Sequence, residues 1–473
     1  MSTAKGMILF MNKKDIMPFH LVHHHGSHCV INIERMEANR IDRLTAETLN
    51  MIDNELEMSL PLDMEESLKK LGLISEDRKK KNNTTKKEAV PIVTMALFVT
   101  QTCNLKCVYC FGEGGEYGTG GTMEEKTALQ AVDWLIEQSK EKKKINIVFF
   151  GGEPFLNFPL MKKVIQYAQQ RVNEVDKKIS FNVTTNATLL NDDVISFLEK
   201  HKVNVTVSID GPKEIQDMQR PFTKGKGSYD IILPKIKKLL KALPETRGHA
   251  VIDESTDPIL VTESLKKIGF LRITTAIMSA SLFEGESCSV KPTKELSKIL
   301  NMMELEAETW INDTKSKNSK SLKELIVNGN LYEGIFFILH NKKIHYPCGA
   351  GVGYLGVSCS GDVYPCHRFV GLDRYKLGNV FMEDLDRDMY HKPPRTFIKK
   401  CANCFAQYYC AGGCKHMNAS SGDSVFKQSE DLCRLKRREL ELSAYIYSML
   451  DHEDHNFLLD HKIFPPKPCP LDF

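Results

Sequence analysis

The sequence predicts an α/β fold built on a parallel sheet, and three observations carry that reading. From residue 92 onward, short apolar runs alternate with amphipathic stretches. Six such strand-helix units follow one another, which is the pattern of parallel strands joined by helical crossovers. Polar motifs also fall at the C-terminal ends of the first four runs, where parallel α/β folds gather their reactive groups. The strands are Ile92–Val99, Ile147–Phe150, Ile179–Val183, Val203–Ile209, His249–Ile252 and Leu271–Ile277. Apolar residues at helical spacing place helices at Glu124–Gln138, Leu160–Val175, Asp192–His201, Tyr229–Leu243, Pro258–Ile268 and Thr293–Trp310. Right-handed crossovers wrap such a sheet toward a barrel. Cys103 follows the first strand, Gly151-Gly152-Glu153-Pro154 the second and Thr185-Asn186 the third, while Ser208-Ile209-Asp210 closes the fourth.

A chain of 473 residues is long for one core, so further domains are expected around this unit. Residues 1–75 read as a small module, with apolar residues from Phe19 to Ile33 and helical patterns at Arg40–Glu55 and Met64–Leu71. The polar run Ser75–Glu88 reads as a linker, assigned to 76–90, before a barrel unit at 91–312. A helical bridge at 313–347, a cysteine-rich region at 348–440 and a tail at 441–473 follow. His23, His24 and His25 are adjacent; in a regular strand neighbours point to opposite faces, so the three are not read as ligands of one ion.

Lysine and arginine number 64 against 61 aspartates and glutamates, a formal net charge of +3. That balance carries no polyanion-binding signature, so no nucleic acid partner is expected. No apolar run approaches the roughly 20 residues that span a bilayer, and no signal-peptide pattern opens the chain. The expectation is a cytoplasmic protein without a membrane partner. In the cytosol thiols stay reduced, so 14 cysteines favour metal ligation over disulfides. Three stand at Cys103-x3-Cys107-x2-Cys110 and eight between Cys348 and Cys433; Cys29, Cys288 and Cys469 are isolated and read as idle thiols. Three thiolates on a four-iron cluster leave one iron open to a small chelating molecule. A zinc knot is the alternative for the triplet.

The segment Cys103-Asn104-Leu105-Lys106-Cys107-Val108-Tyr109-Cys110, followed by Phe149-Phe150-Gly151-Gly152-Glu153-Pro154, resembles the signature of radical S-adenosylmethionine (SAM) enzymes. The resemblance implies a partial (β/α)6 barrel in which Cys103, Cys107 and Cys110 carry the catalytic cluster. The open iron then holds the amino and carboxylate groups of SAM, and an electron cleaves its sulfonium to a 5′-deoxyadenosyl radical. It further implies SAM contacts from Tyr109, Gly151, Gly152, Glu153, Pro154, Thr185, Asn186, Ser208, Asp210 and Arg220. Gln216 stands where many relatives have histidine, which leaves no proton-transfer role expected there.

Cys348, Gly361, Cys366, then Cys401-x2-Cys404-x5-Cys410-x3-Cys414 and Cys433 resemble the SPASM domain, which carries two auxiliary four-iron clusters. That implies three clusters in all: Cys401, Cys404, Cys410 and Cys433 on an outer one, and Cys348, Cys366 and Cys414 on an inner one. Zinc is the physical alternative for four-cysteine sites. The expected fourth inner cysteine is missing from Gly349–Tyr354; either Cys359 reaches the cluster or one iron stays open to a substrate thiolate.

Anaerobic sulfatase maturases share this architecture, but they lead one to expect aspartate after the Tyr-Pro-Cys segment, where His367 stands. Cys366-His367-Arg368-Phe369-Val370-Gly371 is closer to enzymes that forge thioether crosslinks, including ranthipeptide and sactipeptide-type maturases. Residues 1–75 resemble a winged-helix-like leader-recognition module, which binds its peptide by strand addition. The resemblance therefore implies a precursor peptide with a leader and a cysteine-containing core as partner, and an electron donor such as flavodoxin or ferredoxin. The expected activity is thioether formation; sulfatase-type oxidation, epimerisation or a carbon-carbon crosslink is the alternative.

Overall fold

The computed structural model describes residues 9–464 except 12, 55–57, 75–89, 254–255, 279–281, 283–292, 383 and 422–423. The linker run Ser75–Glu88, Cys288 and Cys469 lie outside the described residues.

The N-terminal unit runs β1 (Leu9–Met11), β2 (Phe19–His24), β3 (Ser27–Asn32), β4 (Glu37–Ile41), α1 (Arg43–Asp53), β5 (Met58–Leu60) and α2 (Leu62–Lys70). β1 pairs with β5, and β2-β3-β4 form an antiparallel meander. The β2–β3 hairpin turns on His25 and Gly26, both at positive φ, the conformation that matches the twist of the strands it joins. Strand alternation then sends Val30 to one face, with Leu49 and Ile52 of α1 and Leu68 of α2, and Val22, Cys29 and Ile31 to the other. Burial pushes the Cys29 thiol up to about 12, as suits an idle thiol. The helix expected from Arg40 starts later: Arg40 and Ile41 close β4, and the Asp42 side chain caps α1 by accepting from the Thr45 N–H at 2.7 Å.

All six expected parallel strands are present. They are β6 (Thr94–Thr100), β7 (Lys144–Gly151), β8 (Lys178–Thr185), β9 (Asn204–Ser208), β10 (Arg247–Ile252) and β11 (Arg272–Ile277). Between them lie α3 (Glu125–Gln138), α4 (Phe158–Glu174), α5 (Asp192–Lys200), α6 (Lys213–Gln219), α7 (Tyr229–Ala242) and α8 (Pro258–Ile268). The strands are laid out in sequence order, each parallel to the next. In β7, Ile145, Ile147 and Phe149 turn to the buried helix-covered side, while Val148 and Phe150 face an interior cavity.

After β11 come α9 (Thr293–Lys315), α10 (Ser319–Asn328) and α11 (Tyr332–Leu339). α9 is one helix across position 313, so the helical bridge begins inside the span assigned to the barrel. β12 (Tyr354–Val357) then pairs parallel with β6, from Tyr354↔Thr94 to Val357↔Leu97. β13 (Asp362–Tyr364) and β14 (Gly378–Asn379) extend the sheet to nine strands. The edge that β6 would present is thereby covered, and the cysteine-rich region is continuous with the barrel sheet. Cys401, Cys410 and Cys433 lie on α12 (Lys399–Ala402), α13 (Gln407–Cys410) and α15 (Glu430–Met449), Cys404 and Cys414 in the turns before α13 and α14 (Lys415–Ser421), and α16 (His452–Asp460) follows.

Val22, Cys29, Ile31, Met36 and Ala38 share one apolar cluster with Trp310 of α9, Phe337 of α11, and Leu440 and Ile446 of α15. His20 stacks on Phe405 with ring centroids 3.5 Å apart, and the Tyr408 hydroxyl donates to Glu34. The N-terminal sheet is thus bolted to the C-terminal body. Among the described residues no helix is long and apolar enough to cross a membrane.

Candidate active site

The C-terminal strand ends open on a cavity of about 500 Å³ lined by Cys103, Cys107, Cys110, Tyr109, Gly151, Gly152, Glu153, Thr185, Asn186, Ser208 and Arg220. Eleven of the thirteen residues expected there from sequence therefore meet at one place, as strand-end geometry requires. Asp210 and Pro154 do not line it; Pro154 opens the helical turn that leads into α4. The cysteine loop is stitched to the chain after α6. The Lys106 N–H donates to Pro221 O at 2.8 Å and the Val108 N–H to Gln219 O at 3.0 Å. On its other side, the Glu153 N–H donates to Thr102 O at 2.9 Å. Only glycine fits at 152, since a Cβ there would overlap the Thr102 carbonyl. The Gly-Gly turn thus serves first to seat the cysteine loop.

Among the described residues no three cysteine sulfurs lie mutually within 4.8 Å. One tetrahedral zinc would draw its thiolates to about 3.8 Å from each other, given Zn–S bonds of about 2.3 Å. The triplet is set wider than one ion requires, on a cavity with room beyond it, which fits a multi-iron cluster with a chelating small molecule. Burial pushes Cys103 up to about 12 and Cys107 up to about 11, and the Arg220 guanidinium, 3.9 Å from Cys107 Sγ, opposes the latter. Ligation must therefore displace the thiol protons.

Glu153 is buried, and burial pushes its carboxyl up to about 7. Three donors hold it: the Thr185 hydroxyl at 2.8 Å, the Asn186 N–H at 2.7 Å and the Phe155 N–H at 3.2 Å. Asn186 also reaches Asn104 of the cysteine loop, at 2.9 Å.

Asp210 departs from the expectation of a SAM contact. It is fully buried, and its carboxylate accepts from Arg220 Nε at 2.8 Å and Nη2 at 3.0 Å, from the Val251 N–H at 2.9 Å and from the Tyr109 hydroxyl. A carboxylate so saturated has no capacity for a ligand. Asp210 instead fixes Arg220, which stacks over Tyr109 at 5.1 Å and presents Nη1 toward Cys107.

The other cavity wall holds His367 and Arg368 of the Cys-His-Arg-Phe-Val-Gly run and residues the sequence reading missed: Arg247, His249 and Val251 of β10, Thr274 of β11, and Tyr354. Burial lowers His249 to about 4, and its Nδ1 lies 3.0 Å from the Thr274 hydroxyl. Polar residues at alternating positions of a core strand were the available signal for Arg247 and His249. His367 is packed on Phe150 at 4.6 Å, with Nδ1 2.6 Å from the Tyr354 hydroxyl, and burial lowers it to about 3. It is a neutral imidazole.

The C-terminal cysteines form two groups. Cys401, Cys404, Cys410 and Cys433 line a cavity of about 200 Å³ with Lys400, Lys436 and Arg437. Cys348, Cys366 and Cys414 form the second. Gly351 N–H donates to Pro365 O at 2.8 Å, tying the loop after Cys348 to the residue before Cys366. Burial lowers the Lys415 ammonium and the three cysteines oppose that shift, so all three lie within electrostatic reach of it.

Cys359 is not among them. It sits in the β12–β13 turn, where its N–H donates to Gln101 Oε1 at 2.9 Å and its thiol to Phe98 O at 3.1 Å. Cys366 lies past the opposite end of β13, roughly 15 Å away at about 3.3 Å per extended residue. The hairpin that brings the two cysteines close in sequence holds them apart in space. His24 and His25 do the reverse: the turn at His25 breaks the alternation, and both approach Glu308.

Residues 97–261 match the family description "Radical SAM superfamily". An uncharacterized protein of Methanocaldococcus jannaschii, MJ0907, is 37% identical over 134 residues, 28% of this chain and 44% of that protein. The chain thus spans less than half of that relative. A cysteine-type anaerobic sulfatase-maturating enzyme of Clostridium perfringens is 24% identical over 373 residues, 75% of this chain and 93% of the enzyme. The solved structure of native anSMEcpe with bound AdoMet and Kp18Cys peptide superposes with a TM-score of 0.61 at 22% identity, covering 74% of this chain and 97% of that one. This chain therefore carries a radical SAM domain on an α/β fold shared with that structure.

Proposed function

We propose that this protein is a radical SAM enzyme that installs thioether crosslinks between a cysteine sulfur and a residue carbon of a ribosomally made precursor peptide. The observation that carries the reading is the inner cysteine group. Cys348, Cys366 and Cys414 lie within electrostatic reach of one another while the Cys359 thiol is hydrogen-bonded elsewhere, so a cluster held by those three would keep a coordination position for a peptide thiolate. In this reading Cys103, Cys107 and Cys110 hold the catalytic four-iron cluster, and the two C-terminal groups hold auxiliary ones as in a SPASM domain. With SAM bound, the catalytic cluster supplies a 5′-deoxyadenosyl radical that removes one hydrogen atom from the peptide.

The chain's own residues bind and orient. Gly151 to Glu153 and Asn186 would hold the methionyl end of SAM, Ser208 and Thr185 would offer hydroxyls, and Arg220, held by Asp210, is aimed beside Cys107. Val148, Phe150, Val251 and Met278 give the cavity an apolar wall that keeps water from a reactive carbon. A second cavity of about 310 Å³, lined by Cys414, Met417 and Leu432, shares Arg368 with the first. A peptide lying past Arg368 reaches both sites. The N-terminal unit is read as the leader-binding element: both faces of β2-β3-β4 are covered, which leaves its strand edges for peptide addition. A flavodoxin or ferredoxin is the proposed electron donor, and the cytoplasm the proposed location.

Sulfatase-type oxidation of a cysteine is the second reading, favoured by the match to the sulfatase-maturating enzyme. Mass spectrometry of a cysteine-containing candidate precursor, incubated anaerobically with the reconstituted enzyme, SAM and a reductant, separates the two. Thioether formation removes two hydrogens per ring and blocks alkylation of the cysteine. An aldehyde with loss of sulfur overturns the thioether reading.

A further inference from the structure

Immediately after Cys414, α14 begins with Lys415 and His416, and both side chains are buried, at 3% and 1% exposure. The Lys415 Nζ has no hydrogen-bond partner among the described residues. Its neighbours are Cys414, which it follows directly, the Cys348 and Cys366 thiols within electrostatic reach and, at 5.8 Å, the ring of Tyr390. An ammonium held out of water without an anion or an acceptor is among the costliest placements a protein can make. Lysine side chains are long enough to snorkel to solvent, yet this one is directed inward. By contrast, the lysines and arginine of the outer cysteine group have carboxylate partners: Lys400 and Arg437 pair with Glu430, and Lys436 with Glu439 at 2.6 Å. The unpaired cation therefore marks the inner group as the place where an anion is expected.

We propose that Lys415 is the charge partner and hydrogen-bond donor of an anionic iron-sulfur cluster at Cys348, Cys366 and Cys414. It is a positioning residue that sets the cluster's reduction potential. This rests on the reading above that the three cysteines hold a cluster. A positive charge beside the cluster stabilises its reduced, more negative state, and N–H donation to cluster sulfur acts in the same direction. The Tyr390 ring supplies the second contact of the ammonium and keeps its stem in place.

The test uses the full chain carrying C103A/C107A/C110A, so that only auxiliary signals remain, with K415L, K415R or C348A/C366A/C414A added. Iron and sulfide are counted after anaerobic reconstitution, and each protein is titrated with a chemical reductant while its electron paramagnetic resonance spectrum is followed. If the inner triple variant holds as much iron as its parent, no cluster sits there and the underlying reading fails, whatever the lysine does. If iron is lost in that variant, the lysine is read next. The expected result is an inner signal displaced to more negative potential in K415L, returned toward the parent in K415R, with the outer signal unmoved. Loss of inner iron in K415L but not in K415R also supports the proposal, since the charge is then needed to retain the cluster. Unchanged iron, potential and g-values in K415L overturn it, leaving Lys415 a packing residue on Tyr390. Equal loss of inner iron in K415L and K415R overturns it as well, because shape and not charge would then decide.

Discussion

The radical site and the C-terminal cysteine groups use the same ligand chemistry but are assembled differently. The radical site is a ring of strand ends: Cys103, Gly151, Thr185 and Ser208 close consecutive parallel strands, and each is placed by its own strand-helix unit. The C-terminal groups have no such scaffold. Short helices, turns and the first turn of α15 hold Cys401 to Cys433, and the body beneath them is completed by the first 40 residues of the chain, through Ile31 and Met36 packed with Trp310, Phe337 and Leu440. A site on regular elements is legible as a motif at a strand end. A site on irregular chain takes its shape from partners hundreds of residues away, and it inherits their stability.

If that contrast holds, the two regions fail separately. Replacing Cys103, Cys107 and Cys110 together by alanine is expected to reduce 5′-deoxyadenosine production to background while C-terminal iron stays in place. Formation above background in an anaerobic assay would break the assignment. Ile31→Asp attacks the other region from the far end of the chain. It buries a charge in the shared cluster, at a cost of more than about 4 kcal/mol. The expected outcome is loss of C-terminal iron and fast hydrogen exchange in α9, α11 and α15, with strands β6 to β9 still protected. Protection lost evenly across the whole chain would show one cooperative unit instead of two.

Glu153 sharpens the account of the radical site through pH. Its carboxyl rests at about 7 in the folded chain against an ordinary 4.5, so the folded state holds its proton more tightly than the unfolded state does. Its contribution to stability is therefore fully present below pH 4.5 and is lost as pH rises through 7, a difference of roughly 3 kcal/mol. Denaturant titrations of the metal-free protein at pH 5 and pH 8 are expected to show most of that fall, and E153Q to remove it. Equal slopes for the two proteins would mean that the carboxylate is already ionised at pH 5. The smallest effect is expected at Cys359. Because its thiol is bonded to Phe98 O, C359S keeps the donor, changes stability by about 1 kcal/mol or less, and leaves iron per chain unaltered. Loss of iron would return Cys359 to the inner group.

Some of this molecule was decided by sequence alone. Alternating apolar runs placed all six barrel strands and the helices between them other than the short α6, because burying a sheet under helices imposes its period on the chain. The spacing of Cys103, Cys107 and Cys110 and the strand-end motifs placed the radical site for the same reason: a local pattern and a local geometry coincide there. Tertiary structure decided the rest. Asp210 and Cys359 carry groups able to bind a cofactor, yet other parts of the chain saturate them: Arg220, Tyr109 and Val251 in one case, Phe98 and Gln101 in the other. His24 and His25 were read apart and are brought together by a turn at positive φ. Lys415 is not legible at all, since an isolated lysine looks the same in sequence whether it lies in water or is buried beside a group of cysteines. Residue type fixes what a side chain can bind, whereas contacts that are long in sequence and short in space decide whether it is free to do so.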